Sequence, residues 1–210
     1  MAGDRVDFTL YLITDRTVLP AGATLYDQVE AALEGGLNGV QLREKDLSAA
    51  ERLPLAMKLR KLTSRFGAKL LINDRIDLAL AVKADGVHLG GHSLPAKVAR
   101  TLLGPDMLIG VSTHSLDEIA AAEEGGADFV TFGPIFDTPS KRHLGQPTGV
   151  KQLQKVATAS SLPLFPLGGI HLDNLSSITG CGIRRAACIS AILGSADPAG
   201  ITQRFLERLS

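Results

Sequence analysis

The sequence predicts a single α/β domain folded as a (β/α)8 TIM barrel, and two observations support that prediction. Eight short apolar segments recur along the 210 residues, and most are apolar throughout instead of alternating with polar residues. Such segments are typical of parallel strands that are covered on both faces. In chain order they are 9–13, 39–42, 69–73, 86–89, 108–111, 129–132, 162–167 and 186–189.

The second observation is that helical patterns separate these strand segments. Segments 31–42 and 120–132 each run from an Ala-rich helix through Gly-Gly into a strand, so each forms one helix-to-strand unit. An open doubly wound sheet would produce similar local patterns, but the strand count and the length of the domain favour the barrel. Three helices begin with a hydroxyl residue followed three positions later by a carboxylate, the pattern of a capping box: Thr24 with Asp27, Ser48 with Glu51, and Ser115 with Glu118.

The composition limits the class of function. The 22 basic and 22 acidic residues are intermixed and cancel, so no long-range field favours nucleic acid or an anionic membrane. No apolar run approaches the roughly 20 residues of a membrane span, and no linker divides residues 1–210. Cys181 and Cys188 lack metal-ligand spacing, and the N-terminus has no apolar signal segment, so we expect reduced thiols in a cytoplasmic protein. The oligomeric state stays open.

Polar residues at the end of the second predicted strand are the first candidates for a site. In a barrel of this class the catalytic residues follow the strands, at their carboxyl ends. Gln41, Arg43 and Lys45 alternate there, and the period of two sends all three to the same side. Two cations and an amide at the barrel mouth suit a phosphorylated ligand. Taken alone, the same residues also fit a surface loop with an Arg–Glu pair.

The third and fifth strands also end in polar residues. Asn73 and Asp74 follow the third strand; they suit Mg²⁺ and phosphate oxygens, or equally a cap for the next helix. Ser112 stands directly at the end of the fifth strand and is a ligand candidate, whereas His114 is expected to be a loop residue.

The last three strands predict phosphate binding. The sixth runs into a long Gly/Pro-rich loop with Thr138, Ser140 and Lys141, which we interpret as an anion grip and possible lid. The seventh ends in Gly168-Gly169, and after the eighth Ser190 can open a short helix. Glycines and a helix N-terminus at these two places form the recurrent phosphate site of the fold.

Seven motifs, spread in order over nearly the whole chain, resemble thiamine phosphate synthase and its TenI-type relatives. They are QLREK at 41–45, INDR at 72–75, GVHLG at 86–90, GVSTHS at 110–115, GPIFDTPSK at 133–141, LGGI at 167–170 and ISAI at 189–192. The resemblance implies an enzyme of thiamine biosynthesis. A hydroxymethylpyrimidine diphosphate loses pyrophosphate, and the nitrogen of a thiazole phosphate attacks the pyrimidine methylene carbon to give thiamine phosphate.

The resemblance also assigns roles to residues. It implies that Arg43, Lys45, Ser112 and Lys141 carry the chemistry, and that Mg²⁺ is the cofactor, bound at Asp74. Glu44 and Asp46 are expected to be solvated partners of the two cations. The implied pyrimidine diphosphate site comprises Gln41, Leu42, Arg43, Glu44, Lys45, Asn73, Ser112 and Lys141. The implied thiazole phosphate site comprises Thr138, Pro139, Ser140, Gly169, Ile189 and Ser190.

One position departs from the synthase pattern. Where the synthase carries a second Mg²⁺-binding Asp, this chain has Ser93, which we expect to be a helix N-cap. TenI-type thiazole tautomerases also depart there and use no metal. Those chains often lose the acid at Asp74 and the cation at Lys45, and their proton-transfer histidine would fall at Pro134. The synthase is therefore favoured over the tautomerase, and a non-catalytic sensor of a phosphate ligand is the third alternative.

Overall fold

The computed structural model of the chain describes residues 5–138 and 146–210. Eight parallel strands form one sheet in the order β7-β6-β5-β4-β3-β2-β1-β8, and the two end strands pack against each other. The sheet is therefore a nearly closed barrel, which confirms the predicted fold. The strands are β1 Leu10–Ile13, β2 Gly39–Leu42, β3 Lys69–Asn73, β4 Gly86–Leu89, β5 Leu108–Thr113, β6 Phe129–Phe132, β7 Leu164–Pro166 and β8 Ala186–Cys188.

Helices cover the outside of the sheet, and within the described ranges no helix is long and apolar enough to cross a membrane. Short 3-10 turns lie at Arg16–Val18, after β1, and at Leu172–Asn174, after β7. The helices are α1 Leu25–Glu34, α2 Ala49–Arg65, α3 Ile76–Val82, α4 Ala96–Leu103, α5 Leu116–Glu124, α6 Gly149–Ala159, α7 Leu175–Thr179, α8 Ser190–Leu193 and α9 Pro198–Leu209.

Local side-chain bonds start three of these helices as predicted. Thr24 and Ser115 each accept from a backbone N–H in the first turn, and Ser48 forms a full capping box with Glu51. The prediction for Ser93 is wrong, because α4 has Pro95 at its N-cap and no side-chain cap. The Ser93 Oγ instead accepts from the Gly90 N–H at 2.8 Å, so the serine closes the β4–α4 loop.

The barrel has two apolar layers because strand side chains alternate between its two faces. Outward-facing residues such as Leu42 pack beneath the helices, whereas Phe8, Tyr11, Phe129 and Phe165 fill the barrel interior. Gly110 leaves room for them, since an added Cβ there would collide with the rings of Phe129 and His88. The aromatic rings fill the interior, so the open part of the barrel is the mouth at the carboxyl ends of the strands.

Candidate active site

The end of β2 places two cations at the barrel mouth. Arg43 is half-buried, and its backbone N–H donates to the Thr14 Oγ1 at 2.8 Å. Burial and the Arg43 charge lower the pKa of Lys45, while the nearby Asp74 carboxylate opposes that shift. These three charges are therefore close enough to interact. Neither Arg43 nor Lys45 forms an ion pair with any residue of the described part of the chain, so both charges stand available to an anion.

Gln41 lies below these cations on the inward face of β2. Its side chain is buried, and its Nε2 donates to the Tyr11 hydroxyl at 3.1 Å. Leu42 faces the other way, into the apolar layer beneath the helices. The predicted alternation at 41, 42 and 43 is thus observed, and the Leu42 side chain does not face the mouth.

The expectation that Glu44 is a solvated partner of the two cations is wrong. Its side chain is only 2% exposed, and its Oε2 accepts from the backbone N–H of Arg16 at 3.2 Å and from the Arg16 Nε at 3.1 Å. Asp46 binds the same guanidinium at 2.7 Å. By the alternation that turns Arg43 inward, Glu44 turns outward, towards the turn that follows β1. Glu44 and Asp46 therefore hold that turn to the β2–α2 loop and do not pair with Arg43 or Lys45.

Asp74, at the end of β3, has a strained backbone and an exposed side chain. Its φ is 66°, a left-handed conformation that few residues other than glycine adopt, and its N–H donates to the His88 backbone oxygen at 2.9 Å. Neither Asn73 nor Asp74 caps α3, which begins without a side-chain cap. The helix-cap alternative is therefore wrong, and the half-buried Asn73 and exposed Asp74 stay available at the mouth.

A cleft of about 600 Å³ opens beside Asp74 and is also lined by His92, Ser93 and Asp77. Asp77 is paired with Arg75, and within residues 5–138 and 146–210 no three His, Cys, Asp or Glu side chains converge as a metal cage. One free carboxylate fits Mg²⁺ that arrives with a diphosphate, because that ion keeps several waters and is often held by one or two carboxylates plus phosphate oxygens.

A chain of polar side chains crosses the floor of the mouth. The His88 Nδ1 lies 3.5 Å from the Tyr11 hydroxyl, and its Nε2 lies 3.0 Å from the Ser112 Oγ. Burial and the nearby Arg43 charge lower the pKa of His88 to about 3, so the ring is neutral. Ser112 is half-buried and stands at the mouth, where it was predicted. His88 itself was not among the predicted site residues, although the inward period of β4 indicates it.

The glycines after β7 form a tight contact with the loop after β6. Gly168 and Gly169 have φ of 101° and 63°, and the Phe136 N–H donates to the Gly168 oxygen at 3.1 Å. A Cβ on Gly169 would lie 2.8 Å from the Asp137 backbone oxygen. The glycines are thus required for packing of the segment that leads to Thr138, whatever they do for a ligand.

The remaining predicted residues divide into two groups. Ile189 packs against the apolar interior of the barrel, and Ser190 is exposed and begins the short helix α8, as predicted. Thr138 is half-buried at the described end of the β6 loop. Pro139, Ser140 and Lys141 lie outside the described residues. The predicted residues that are described all lie at or just beyond the carboxyl ends of the strands.

These features define a (β/α)8 barrel with two cations and a carboxylate at the mouth that form no salt bridge within the described part of the chain. Residues 10–192 match the family model described as thiamine monophosphate synthase. The chain belongs to that family.

Individual relatives agree with the family match. A relative from Geobacter sulfurreducens is 53% identical over 194 residues, which cover 92% of this chain and 91% of that protein. A thiamine-phosphate synthase of Moorella thermoacetica is 42% identical over 198 residues, covering 94% of each chain. Among solved structures, a thiamine phosphate pyrophosphorylase from Pyrococcus furiosus superimposes with a TM-score of 0.87 at 35% identity, covering 98% of this chain and 96% of that one.

Proposed function

We propose that the protein is a thiamine-phosphate synthase, a transferase that joins hydroxymethylpyrimidine diphosphate to thiazole phosphate and releases pyrophosphate. The observation that carries this proposal is the cluster of Arg43, Lys45 and Asp74, whose side chains form no ion pair with any residue of 5–138 or 146–210 other than the charge interactions among themselves and with Arg75. Such a cluster suits a substrate with a diphosphate. The identity of the two substrates is inferred from the family to which the chain belongs.

In this reaction the bond between the pyrimidine methylene carbon and the diphosphate oxygen breaks, and the thiazole nitrogen forms a bond to that carbon. Negative charge grows on the leaving pyrophosphate, so charge neutralisation matters more than a base. We propose that Arg43 and Lys45 neutralise this charge and that Lys141 joins them. Gln41, Asn73 and Ser112 are proposed to orient the same substrate from the floor and wall of the mouth.

Mg²⁺ is the cofactor we propose, with Asp74 as the residue that would hold it. When bound, the ion supplies positive charge to the leaving diphosphate. The backbone of Asp74 is tied to β4 through the His88 oxygen, so the carboxylate has a fixed starting point near Lys45. The second substrate, the thiazole phosphate, is proposed to bind across the mouth between Thr138, Gly169 and Ser190.

We also propose a cytoplasmic location. Cys181 and Cys188 are free thiols, and burial raises the pKa of the Cys188 thiol to about 12, which keeps it protonated and unreactive. Two unlinked cysteines are the usual state in a reducing compartment.

A thiazole tautomerase is the second candidate, because Ser93 replaces a metal-binding acid and no metal cage forms among the described residues. The two functions are separated by incubating the protein with thiazole phosphate, with and without pyrimidine diphosphate and Mg²⁺. The synthase requires both additions and stops in Asp74→Asn. The matched control is Asp77→Asn, in the same cleft but paired with Arg75, which should retain turnover. Isomerisation of thiazole phosphate alone, unaffected by Asp74→Asn, would establish the tautomerase instead.

A sensor without catalytic activity is the third candidate. It would bind the phosphate ligands in a titration but form no product at any Mg²⁺ concentration. Pyrophosphate release by the purified protein excludes it.

A further inference from the structure

The floor of the mouth is a continuous hydrogen-bonded chain across the barrel. It runs from Gln41 Nε2 to the Tyr11 hydroxyl at 3.1 Å, on to His88 Nδ1 at 3.5 Å, and from His88 Nε2 to the Ser112 Oγ at 3.0 Å. The Thr131 hydroxyl lies 3.4 Å from His88 Nε2 and 3.5 Å from the same Ser112 oxygen. Tyr11, His88 and Gln41 are 0%, 2% and 1% exposed, so the half-buried Ser112 is the member of the chain that meets the mouth.

The direction of the protons along this chain follows from its first donor. The Gln41 amide can only donate from Nε2, so the Tyr11 oxygen accepts there. Among the described residues His88 Nδ1 is the acceptor in reach of the Tyr11 proton, which therefore points to it. A buried neutral imidazole that accepts at Nδ1 carries its proton on Nε2. That N–H donates to the Ser112 oxygen. Because a protonated Nε2 cannot accept, the Thr131 hydroxyl donates to Ser112 and not to the ring. Both acceptor positions of Ser112 are then occupied.

We infer that His88 is a positioning residue that fixes Ser112 as a hydrogen-bond donor towards the ligand in the mouth. With its oxygen occupied from below, the serine has only its proton to offer. That proton suits an acceptor atom, such as a diphosphate oxygen or a ring nitrogen of the pyrimidine diphosphate. The identity of this ligand rests on the proposed function, whereas the direction of the chain does not.

Tyr11 sets the direction of the hydrogen bonds along the chain, although we expect it to touch no ligand. Replacing Tyr11 with Phe keeps the buried ring but removes the proton that Nδ1 accepts. The imidazole is then no longer held in one tautomer. In the fraction that carries its proton on Nδ1, Nε2 accepts from Ser112 and the serine proton turns away from the mouth. Tyr26→Phe is the matched control, since Tyr26 is the only other tyrosine of the chain and its hydroxyl is bonded at the surface to Arg65.

The direction of the chain is measured by ¹⁵N spectra of the histidine-labelled protein, with the His88 signals assigned by their loss in His88→Gln. We expect the Nε2–H tautomer alone in the parent and in Tyr26→Phe, and a measurable fraction of the Nδ1–H tautomer in Tyr11→Phe. An Nδ1–H tautomer or an imidazolium in the parent would overturn the inference. This measurement needs no turnover, so it stands even if the proposed function fails.

The consequence for the ligand is measured by titration with pyrimidine diphosphate in the absence of thiazole phosphate. Loss of one hydrogen bond to a charged or polar ligand weakens binding about tenfold, so Ser112→Ala should lose about tenfold and Tyr11→Phe a measurable part of that. The double variant should lose no more than Ser112→Ala alone, because the tyrosine acts through the serine. Losses that multiply in the double variant would show that Tyr11 acts by another route, for example through Gln41, and would overturn the inference.

Folding of the variants is checked by thermal unfolding. His88→Gln keeps an acceptor and a donor in the chain, so it should bind closer to the parent than His88→Phe, which has neither. Equal weakening by His88→Gln and His88→Phe, with both folded, would also contradict the assigned role. If the parent protein forms no thiamine phosphate, the proposed function is refuted. The role of His88 is then tested by the tautomer measurement alone.

Discussion

Replacing Gly169 with alanine should destabilise the protein through two separate effects. The φ of this residue is +63°, and a left-handed conformation costs a residue with a Cβ about 1–2 kcal/mol. The added Cβ would lie 2.8 Å from the Asp137 backbone oxygen and 2.9 Å from the Phe136 Cβ. Neither atom is the end of a flexible side chain, so overpacking adds about 1–3 kcal/mol. The free energy of unfolding should therefore fall by about 2–5 kcal/mol.

Gly182→Ala is the matched control for the backbone effect. Gly182 has a φ of +80°, and no atom lies within 4 Å of the Cβ position. This variant should lose only the conformational part, about 1–2 kcal/mol. Both values are measured by equilibrium unfolding in urea. In a domain of this size the melting temperature should fall by about 2–4 °C for each kcal/mol.

The same substitution should also affect the second substrate. The segment that Gly169 contacts leads directly to Thr138, so its displacement should raise the KM for thiazole phosphate in Gly169→Ala but leave it unchanged in Gly182→Ala. Equal losses of stability in the two variants would refute the packing argument. A raised KM without extra loss of stability would mean that the glycine serves the ligand alone.

Three further predictions concern charged groups and the metal. The pKa of Lys45 is lowered, so its positive charge is present below that pKa and is lost at a lower pH than the charge of an ordinary lysine. The alkaline fall of kcat/KM for pyrimidine diphosphate should therefore begin correspondingly early. This early fall should disappear in Lys45→Arg. Arg16→Ala removes the guanidinium that pairs with the buried Glu44 carboxylate and leaves it only the backbone N–H of residue 16, which should cost about 1–3 kcal/mol in urea unfolding. Arg65→Ala, which breaks an exposed pair, should cost under about 1 kcal/mol. Ser93→Asp should lower the Mg²⁺ concentration needed for half-maximal turnover, because it adds charge and a ligand to the cleft; an unchanged requirement would contradict the reading of Ser93 as a missing acid.

Periodicity predicted the barrel and the inward side chains of β2 because these depend on local alternation. The same rule turns Glu44 outward, but nothing in the neighbouring sequence indicates that Arg16, 28 residues earlier, would cover it. Its burial is a tertiary effect of the turn after β1. His88 could have been found by the period of β4, since the ring follows an inward Gly86, yet its polar partners come from three other strands.

Prediction of a helix cap from the neighbouring sequence also failed where one side chain could form either of two local hydrogen bonds. Ser93 precedes Leu94-Pro95 and fits an N-cap, but its oxygen bonds back to Gly90, and Pro95 occupies the cap position. The need for glycine at 169 was predicted for a ligand, whereas the structure gives a positive φ and a close backbone contact as a sufficient reason. Such a contact joins segments about 30 residues apart and leaves no periodic signal in the sequence.

The most direct test of the account is to measure pyrophosphate and thiamine phosphate together, with both substrates and saturating Mg²⁺. We expect the two products to appear in equal amounts and neither to appear without pyrimidine diphosphate. Replacing both Arg43 and Lys45 by Gln should abolish both. If no pyrophosphate is released from the folded protein, or if the double variant turns over like the parent, then Arg43 and Lys45 do not bind a diphosphate and the proposed function is wrong.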